Sequence, residues 1–134
     1  MIKNKLIFNA KKTDDYLRSF LKKQKQTDLL NVMKYSTLSG GKKIRSSIII
    51  NIGKLFNLNF TKILNLCGAV ECIHSYSLIH DDLPCMDNDK IRRGKPSTHV
   101  KFGESTAILA GNSLLTLAFE MITDKNYLIS DESK

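Results

Sequence analysis

The stretch that decides the fold is residues 62–87, KILNLCGAVECIHSYSLIHDDLPCMD. Its apolar residues recur at the spacing of a helix as far as Leu78, and Thr61, just before them, is of a type that caps helices. After His80 come four carboxylates within nine positions: Asp81, Asp82, Asp87 and Asp89. The pattern predicts a long core helix that ends in an acidic loop.

The rest of the chain is also typical of helices, because the two prolines both fall in one polar stretch, 81–104, which predicts a loop with short helical pieces. Further helices are predicted to begin at Thr13-Asp14-Asp15, to cover 29–35, to run from Ile44 to Phe56 after Gly40-Gly41, and to run from Ser105 or Thr106 to Met121. The helix from Ile44 to Phe56 is apolar on most sides, which predicts a core element. We therefore expect an all-α protein that frays after Thr123.

The composition limits the possible functions. The 134 residues, 42% of them hydrophobic, suffice for one compact domain. The net charge of +8 suits an anionic partner, but the basic residues of the first 45 positions are scattered, which argues against nucleic-acid binding. No apolar run approaches the length of a membrane-spanning helix.

The three cysteines, Cys67, Cys72 and Cys85, form no CxxC pair and no spacing typical of zinc ligands. Their odd number, together with an N-terminus that lacks the features of a secretory signal, predicts reduced thiols. We therefore expect a cytoplasmic protein.

The acidic cluster suggests a metal. Carboxylates as close as Asp81, Asp82 and Asp87 repel one another unless a cation compensates them. Mg²⁺ accepts oxygen ligands from one or two carboxylates and completes its octahedron with water and phosphate oxygens. A solvated acidic turn is the alternative, and on the acidic residues alone it is the commoner outcome.

Basic residues near this cluster favour the metal site. His74 lies two helical turns before Asp81 on the same face, and Arg92-Arg93 follow the acidic segment with forked guanidinium groups that suit phosphate oxygens. Lys42 and Arg45 share a face of the helix that follows Gly40-Gly41. Each signal has an ordinary structural explanation, but together they indicate a site for a metal-bound diphosphate.

Two of these segments resemble a known family, the trans-isoprenyl diphosphate synthases. Residues 40–45, GGKKIR, resemble its GGKxxR element, and residues 71–87 with Arg92-Arg93-Gly94 resemble its first aspartate-rich motif. The resemblance extends over roughly Tyr35 to Phe119. It implies the N-terminal half of the isoprenoid synthase helical bundle.

The resemblance also implies roles for individual residues. Asp81 and Asp87 would coordinate Mg²⁺, with Asp82 in support, and these three form the catalytic set. Arg92 would bind the allylic diphosphate that the metal holds. The remaining cations would bind the diphosphate of isopentenyl diphosphate: Lys42, Arg45, His74 and Arg93. Replacement of Lys43 by alanine is expected to matter little.

The implied reaction condenses isopentenyl diphosphate with dimethylallyl or geranyl diphosphate to give farnesyl diphosphate. Tyr76, five positions before Asp81, would be the floor of the elongation pocket, although geranyl and geranylgeranyl products stay open. Residues 1–134 are expected to be a truncated domain, because a second aspartate-rich motif is absent from them. The alternative is a non-catalytic fragment or a regulatory subunit that keeps a Mg²⁺-diphosphate half-site. Since half a bundle exposes the inner faces of its helices, we expect a homo- or hetero-oligomer.

Overall fold

The order of elements is helical except for one short hairpin. The structure is a computed structural model and describes residues 1–127. Its elements in chain order are α1 (Ile2–Lys23), α2 (Asp28–Thr37), α3 (Ile44–Leu55), α4 (Phe60–Asp81), β1 (Ile91–Arg92), β2 (Lys95–Pro96), α5 (Thr98–Phe102) and α6 (Glu104–Thr123). The prediction of an all-α protein is confirmed, and the loop after α4 contains the predicted short helix. The expected fraying covers the residues after Thr123, and 128–134 of these lie outside the described residues.

Three predicted helix starts are wrong. Helix α1 begins at Ile2, and Thr13 lies buried inside it, where its hydroxyl donates to Asn9 O over 3.0 Å. Helix α4 is capped by Asn59, whose Oδ1 accepts from the backbone N–H groups of Thr61 and Lys62 at 3.0 and 3.2 Å. Helix α6 begins one residue early, at Glu104, directly after Gly103.

The main core lies where α4 packs against α6, with α1 and α2 closing the sides. Its largest fully buried side chains include Leu17, Leu21, Leu114 and Met121. Small residues allow the helices to approach closely: the ring of His80 lies against Gly111, where any Cβ would overlap it. This packing fixes the end of α4, and with it the acidic loop, relative to the rest of the chain.

Helix α3 is not the core element that its composition predicts. Its buried residues are Ser46, Ser47, Ile50 and Gly53. Four of its large apolar side chains, Ile44, Ile48, Ile52 and Leu55, are 50% to 79% exposed. These four residues recur at helical spacing and form one surface, the α3 stripe. The apolar composition of a helix therefore does not show that the helix is buried within its own chain.

Helix α6 is long and apolar enough to cross a membrane by length and composition alone, contrary to the prediction that no apolar run approaches this length. Within residues 1–127 it is the one helix that meets this test. Ala107, Ala110, Leu114 and Ala118 are fully buried along it. One face of α6 is therefore buried in the main core, while Leu109 and Phe119 are 57% and 59% exposed.

The cysteines are free thiols, as expected. Burial raises the pKa of Cys67 and of Cys72 to about 12, so both stay protonated near neutral pH. Cys85 is exposed in the acidic loop.

Candidate functional site

The acidic loop closes on itself by backbone hydrogen bonds. Asp87 N donates to Asp81 O over 2.8 Å, and Asn88 N donates to Leu83 O over 3.0 Å. The first bond brings the two aspartates together at the neck of the loop. Asp81 is partly exposed and Asp87 is exposed, so both carboxylates are available to a ligand.

Asp82 faces the other way and is buried, with 2% of its surface exposed. Its carboxylate accepts two hydrogen bonds from Arg92, from Nε at 2.7 Å and from Nη2 at 2.6 Å. The hydrogen bonds to Asp82 are also the main reason why the pKa of Arg92 is raised. Asp82 is therefore buried and paired with Arg92, whereas Asp81 and Asp87 at the neck are at least partly exposed.

The hairpin that carries Arg92 is fastened to the helices. In the hairpin β1 and β2 are antiparallel, with Arg92 opposite Lys95. The hydroxyl of Tyr35 on α2 donates to Pro96 O over 2.7 Å, and Ser36 and Thr98 share a hydrogen bond of 3.0 Å. Arg92 is therefore positioned by α2 as well as by Asp82.

A second site, the cation pocket, has a volume of about 310 Å³ and lies between the start of α3, the middle of α4 and the hairpin turn. All four residues predicted to hold the second diphosphate line it: Lys42, Arg45, His74 and Arg93. The guanidinium of Arg93 donates to Gly40 O over 2.5 Å. Gly41 has a φ of +101°, and a Cβ there would come within 2.6 Å of the Arg93 guanidinium carbon. The predicted glycines thus make room for this arginine.

The charges of the cation pocket act on His74. Burial lowers the pKa of its imidazole, and Arg45 and Arg93 lower it further, while Glu71 opposes them. The ring is therefore neutral near pH 7 and can gain a proton when an anion enters.

Comparison with known proteins identifies the family of this chain. The model of the polyprenyl synthetase family matches residues 26–131.

The chain belongs to the polyprenyl synthetase family.

Relatives in this polyprenyl synthetase family are similar over only part of their length. The farnesyl diphosphate synthase of Buchnera aphidicola subsp. Acyrthosiphon pisum (strain APS) is 56% identical over 99 residues, which are 74% of this chain and 35% of that protein. The farnesyl diphosphate synthase of Escherichia coli (strain K12) is 50% identical over 98 residues, 73% of this chain and 33% of that protein. The chain therefore spans about a third of these curated relatives.

A solved structure agrees with the fold. The FPP/GFPP synthase from Zymomonas mobilis matches with a TM-score of 0.86 at 37% identity, over 96% of this chain and 48% of that one. The expected N-terminal half of the isoprenoid synthase helical bundle is thereby confirmed.

The acidic residues fit a Mg²⁺ ion that also binds water and phosphate better than they fit a metal ion held entirely by protein ligands. Among residues 1–127 there is no group of three or more His, Cys, Asp or Glu side chains that could hold a metal ion. A backbone hydrogen bond joins Asp81 and Asp87 at the neck of the loop, and both side chains are at least partly exposed. Mg²⁺ takes one or two carboxylates and fills its other positions with water and phosphate, so these residues fit it in the presence of a diphosphate.

The surroundings of Lys43 argue against one expectation from the sequence. Lys43 was expected to tolerate replacement, yet it is 5% exposed. Its ammonium donates to Thr37 O over 2.9 Å and lies 3.6 Å from Glu71 Oε2. Because a buried charge that loses its partners is costly, Lys43→Ala is predicted to be harmful. No pattern in the sequence sets Lys43 apart from its basic neighbours.

Tyr76 lies on α4, partly buried, with its ring edge-on to His80 at 4.7 Å between centroids. It packs against the main core and does not line the cation pocket. Its predicted role in chain length stays a prediction.

Proposed function

We propose that this chain supplies the diphosphate-binding half of a prenyltransferase that condenses isopentenyl diphosphate with dimethylallyl or geranyl diphosphate to give farnesyl diphosphate. One observation carries the proposal: the consecutive residues Arg92 and Arg93 face two different sites. Arg92 joins the acidic loop through Asp82, and Arg93 lines the cation pocket. Two diphosphates bound side by side are what such a condensation requires.

The acidic loop is the proposed site of the allylic diphosphate. Asp81 and Asp87 would hold Mg²⁺, which neutralises the diphosphate as it leaves the allylic carbon. Asp82 would act through Arg92, keeping that guanidinium at the edge of the loop. Arg92 would then contact the same diphosphate with the donors that Asp82 leaves free.

The cation pocket is the proposed site of isopentenyl diphosphate. Lys42, Arg45 and Arg93 would bind its diphosphate oxygens, and His74 would donate a hydrogen bond to them. Binding here orients the double bond toward the allylic carbon, which is activated as its own diphosphate departs. A proton is then lost to the released pyrophosphate, so the protein needs no nucleophile of its own.

Tyr76 is the proposed limit on product length. It lies on α4 about one and a half helical turns before Asp81, at the depth that a growing chain would reach from the acidic loop. The bulk of its ring would stop growth at farnesyl diphosphate.

A second candidate function is a non-catalytic or regulatory subunit that keeps only the diphosphate half-site. The exposed α3 stripe favours it, because a surface of this kind suits association with another chain. Residues 1–134 would then contribute the first aspartate-rich motif to a homo- or hetero-oligomer. The proposed location is the cytoplasm, since three free thiols suit a reducing compartment.

One experiment separates the two functions. The purified chain is incubated with Mg²⁺, labelled isopentenyl diphosphate and geranyl diphosphate, and the products are separated by chromatography. A fifteen-carbon product supports the prenyltransferase. Mg²⁺-dependent diphosphate binding without any product supports the half-site subunit, and the lack of both contradicts the proposal.

A further inference from the structure

The segment that begins the cation pocket has an unusual backbone. Gly40 and Gly41 have φ angles of 92° and 101°, and Lys43 has a φ of 45° although it is not a glycine. Lys43 is also the residue before α3, and its side chain makes no capping hydrogen bond. A left-handed lysine at a helix start is unfavourable by itself and persists only where its surroundings hold it.

The surroundings hold Lys43 through contacts to its side chain. Its ammonium donates to Thr37 O at the end of α2 over 2.9 Å and lies 3.5 Å from Asp14 on α1 and 3.6 Å from Glu71 on α4. Asp14 Oδ1 is buried and makes no hydrogen bond within residues 1–127, so the ion pair with Lys43 is its compensation. Three helices thus meet at one buried cation.

The Lys43 network also reaches the next turn of the pocket. Glu71 is 2% exposed, and its Oε1 accepts from the hydroxyl of Ser46 over 2.6 Å. Ser46 belongs to the first turn of α3, and Glu71 lies one turn before His74 on α4. The same carboxylate therefore ties the start of α3 to the helix that carries His74.

We propose that Lys43 is a positioning residue: its buried ion pairs with Asp14 and Glu71 fix the backbone of residues 40–45 so that Lys42 and Arg45 face the diphosphate that His74 and Arg93 also bind. This inference rests on the proposed function of the cation pocket. Lys43 is among the residues that line the cation pocket, but its ammonium donates to Thr37 O and pairs with Asp14 and Glu71, so it would act on the diphosphate through Lys42 and Arg45.

The test uses the full chain and inorganic pyrophosphate without Mg²⁺, so that calorimetry reports the cation pocket alone. In Lys43→Met and in Glu71→Met the affinity is expected to fall about ten-fold or more, since a displacement of about 1 Å can cost that much. The direction in which Glu71→Met changes the pyrophosphate affinity decides between charge and positioning. Removing an anion beside a cationic pocket would tighten binding by charge alone, whereas loss of positioning weakens it.

Two further measurements separate positioning from general instability. Asn9→Ala removes a buried hydrogen bond of 2.9 Å between α1 and Ser47, and it serves as a variant that lowers Tm without touching residues 40–45. Backbone amide exchange is followed in all variants. Faster exchange confined to residues 40–45 in the Lys43 and Glu71 variants, with binding retained in Asn9→Ala, supports the inference.

The inference is overturned if Glu71→Met binds pyrophosphate more tightly, or if the affinity of Asn9→Ala falls as far as that of Lys43→Met. It is also overturned if amide exchange at residues 40–45 does not change in Glu71→Met. This variant keeps Lys43 and its pairing with Asp14, so it still tests the inference if Lys43→Met does not fold. If the unaltered chain binds no pyrophosphate, the proposed function fails, and amide exchange alone then decides whether Lys43 sets the backbone.

Discussion

The Asp82 carboxylate and the Arg92 guanidinium form a bidentate pair, with N···O distances of 2.6 and 2.7 Å, in which the carboxylate is buried and the guanidinium is partly exposed. Of the three aspartates in the predicted catalytic set, Asp82 is thus bound to protein, while Asp87 is exposed and Asp81 is partly exposed. The pair joins the end of α4 to the hairpin. It holds the two sides of the proposed allylic site together.

Arg92→Lys is expected to lower the free energy of unfolding by about 1–2 kcal/mol, because a lysine cannot satisfy both oxygens of buried Asp82. Mg²⁺-dependent pyrophosphate binding should weaken as well. Chemical denaturation and calorimetry measure the two effects. Arg18→Lys, an exposed change of the same kind on α1, is the control. Equal effects of the two changes would show that the Asp82 pair has no special role.

Asp81→Ala is expected to abolish Mg²⁺-dependent pyrophosphate binding, because one of two carboxylates at the neck of the loop is lost. The measurement is calorimetry with and without Mg²⁺. Glu120→Ala is the control, since it removes the same charge at an exposed side chain of α6, away from the acidic loop. A comparable loss in Glu120→Ala would reduce the effect to overall charge.

His74 should make stability depend on pH. Because burial and then Arg45 lower its pKa in the folded chain, the unfolded chain binds the proton more readily. The contribution is therefore fully present above about pH 6.5, the ordinary value of a histidine, and is lost as the pH falls through the lower folded pKa. Denaturation at several pH values should show this loss in the unaltered chain.

The matched variant for this pH effect is His74→Gln, which should lose less stability between pH 7.5 and pH 5. By NMR, the titration midpoint of the His74 imidazole should lie below 6.5 and rise when pyrophosphate is added, since an anion favours the protonated ring. An unchanged midpoint with pyrophosphate bound would place the anion elsewhere.

The α3 stripe should drive association. Ile52→Glu puts a charge on a side chain that is 50% exposed, so it is expected to reduce self-association while changing Tm little. Analytical ultracentrifugation over a range of concentrations measures this. Ile7→Glu, at an isoleucine of α1 that is 59% exposed, is the control. If both variants dissociate alike, or neither does, the stripe is not the interface.

Tyr76→Ala should lengthen the product wherever the chain, alone or in an assembly, makes farnesyl diphosphate. The smaller side chain would remove the proposed floor of the elongation pocket. Chromatography of labelled products distinguishes fifteen-carbon from twenty-carbon chains. Phe20→Ala, which thins the same core at a ring stacked on Tyr16, controls for a general loosening.

Local sequence patterns predicted most elements because each pattern acts over a few residues. The spacing of apolar residues sets α4, the break at Gly40-Gly41 separates α2 from α3, and the proline-containing stretch makes the loop. The starts of α1 and α4 were missed for a related reason, because Thr13 and Thr61 are residue types that cap helices. In the structure Thr13 instead donates to Asn9 O one turn earlier in α1, and Asn59 is the cap of α4.

The sequence by itself determined the helical class, the acidic loop and the identity of the basic residues beside it, because these depend on residue type and on spacing along one helix. Only the tertiary structure decided which groups share a pocket. Lys43 differs from Lys42 by one position, yet a left-handed backbone turns it inward to Asp14 and Glu71. Such partners lie tens of residues apart in the chain, and only the packing of α1, α3 and α4 brings them within the few ångströms over which charges pair.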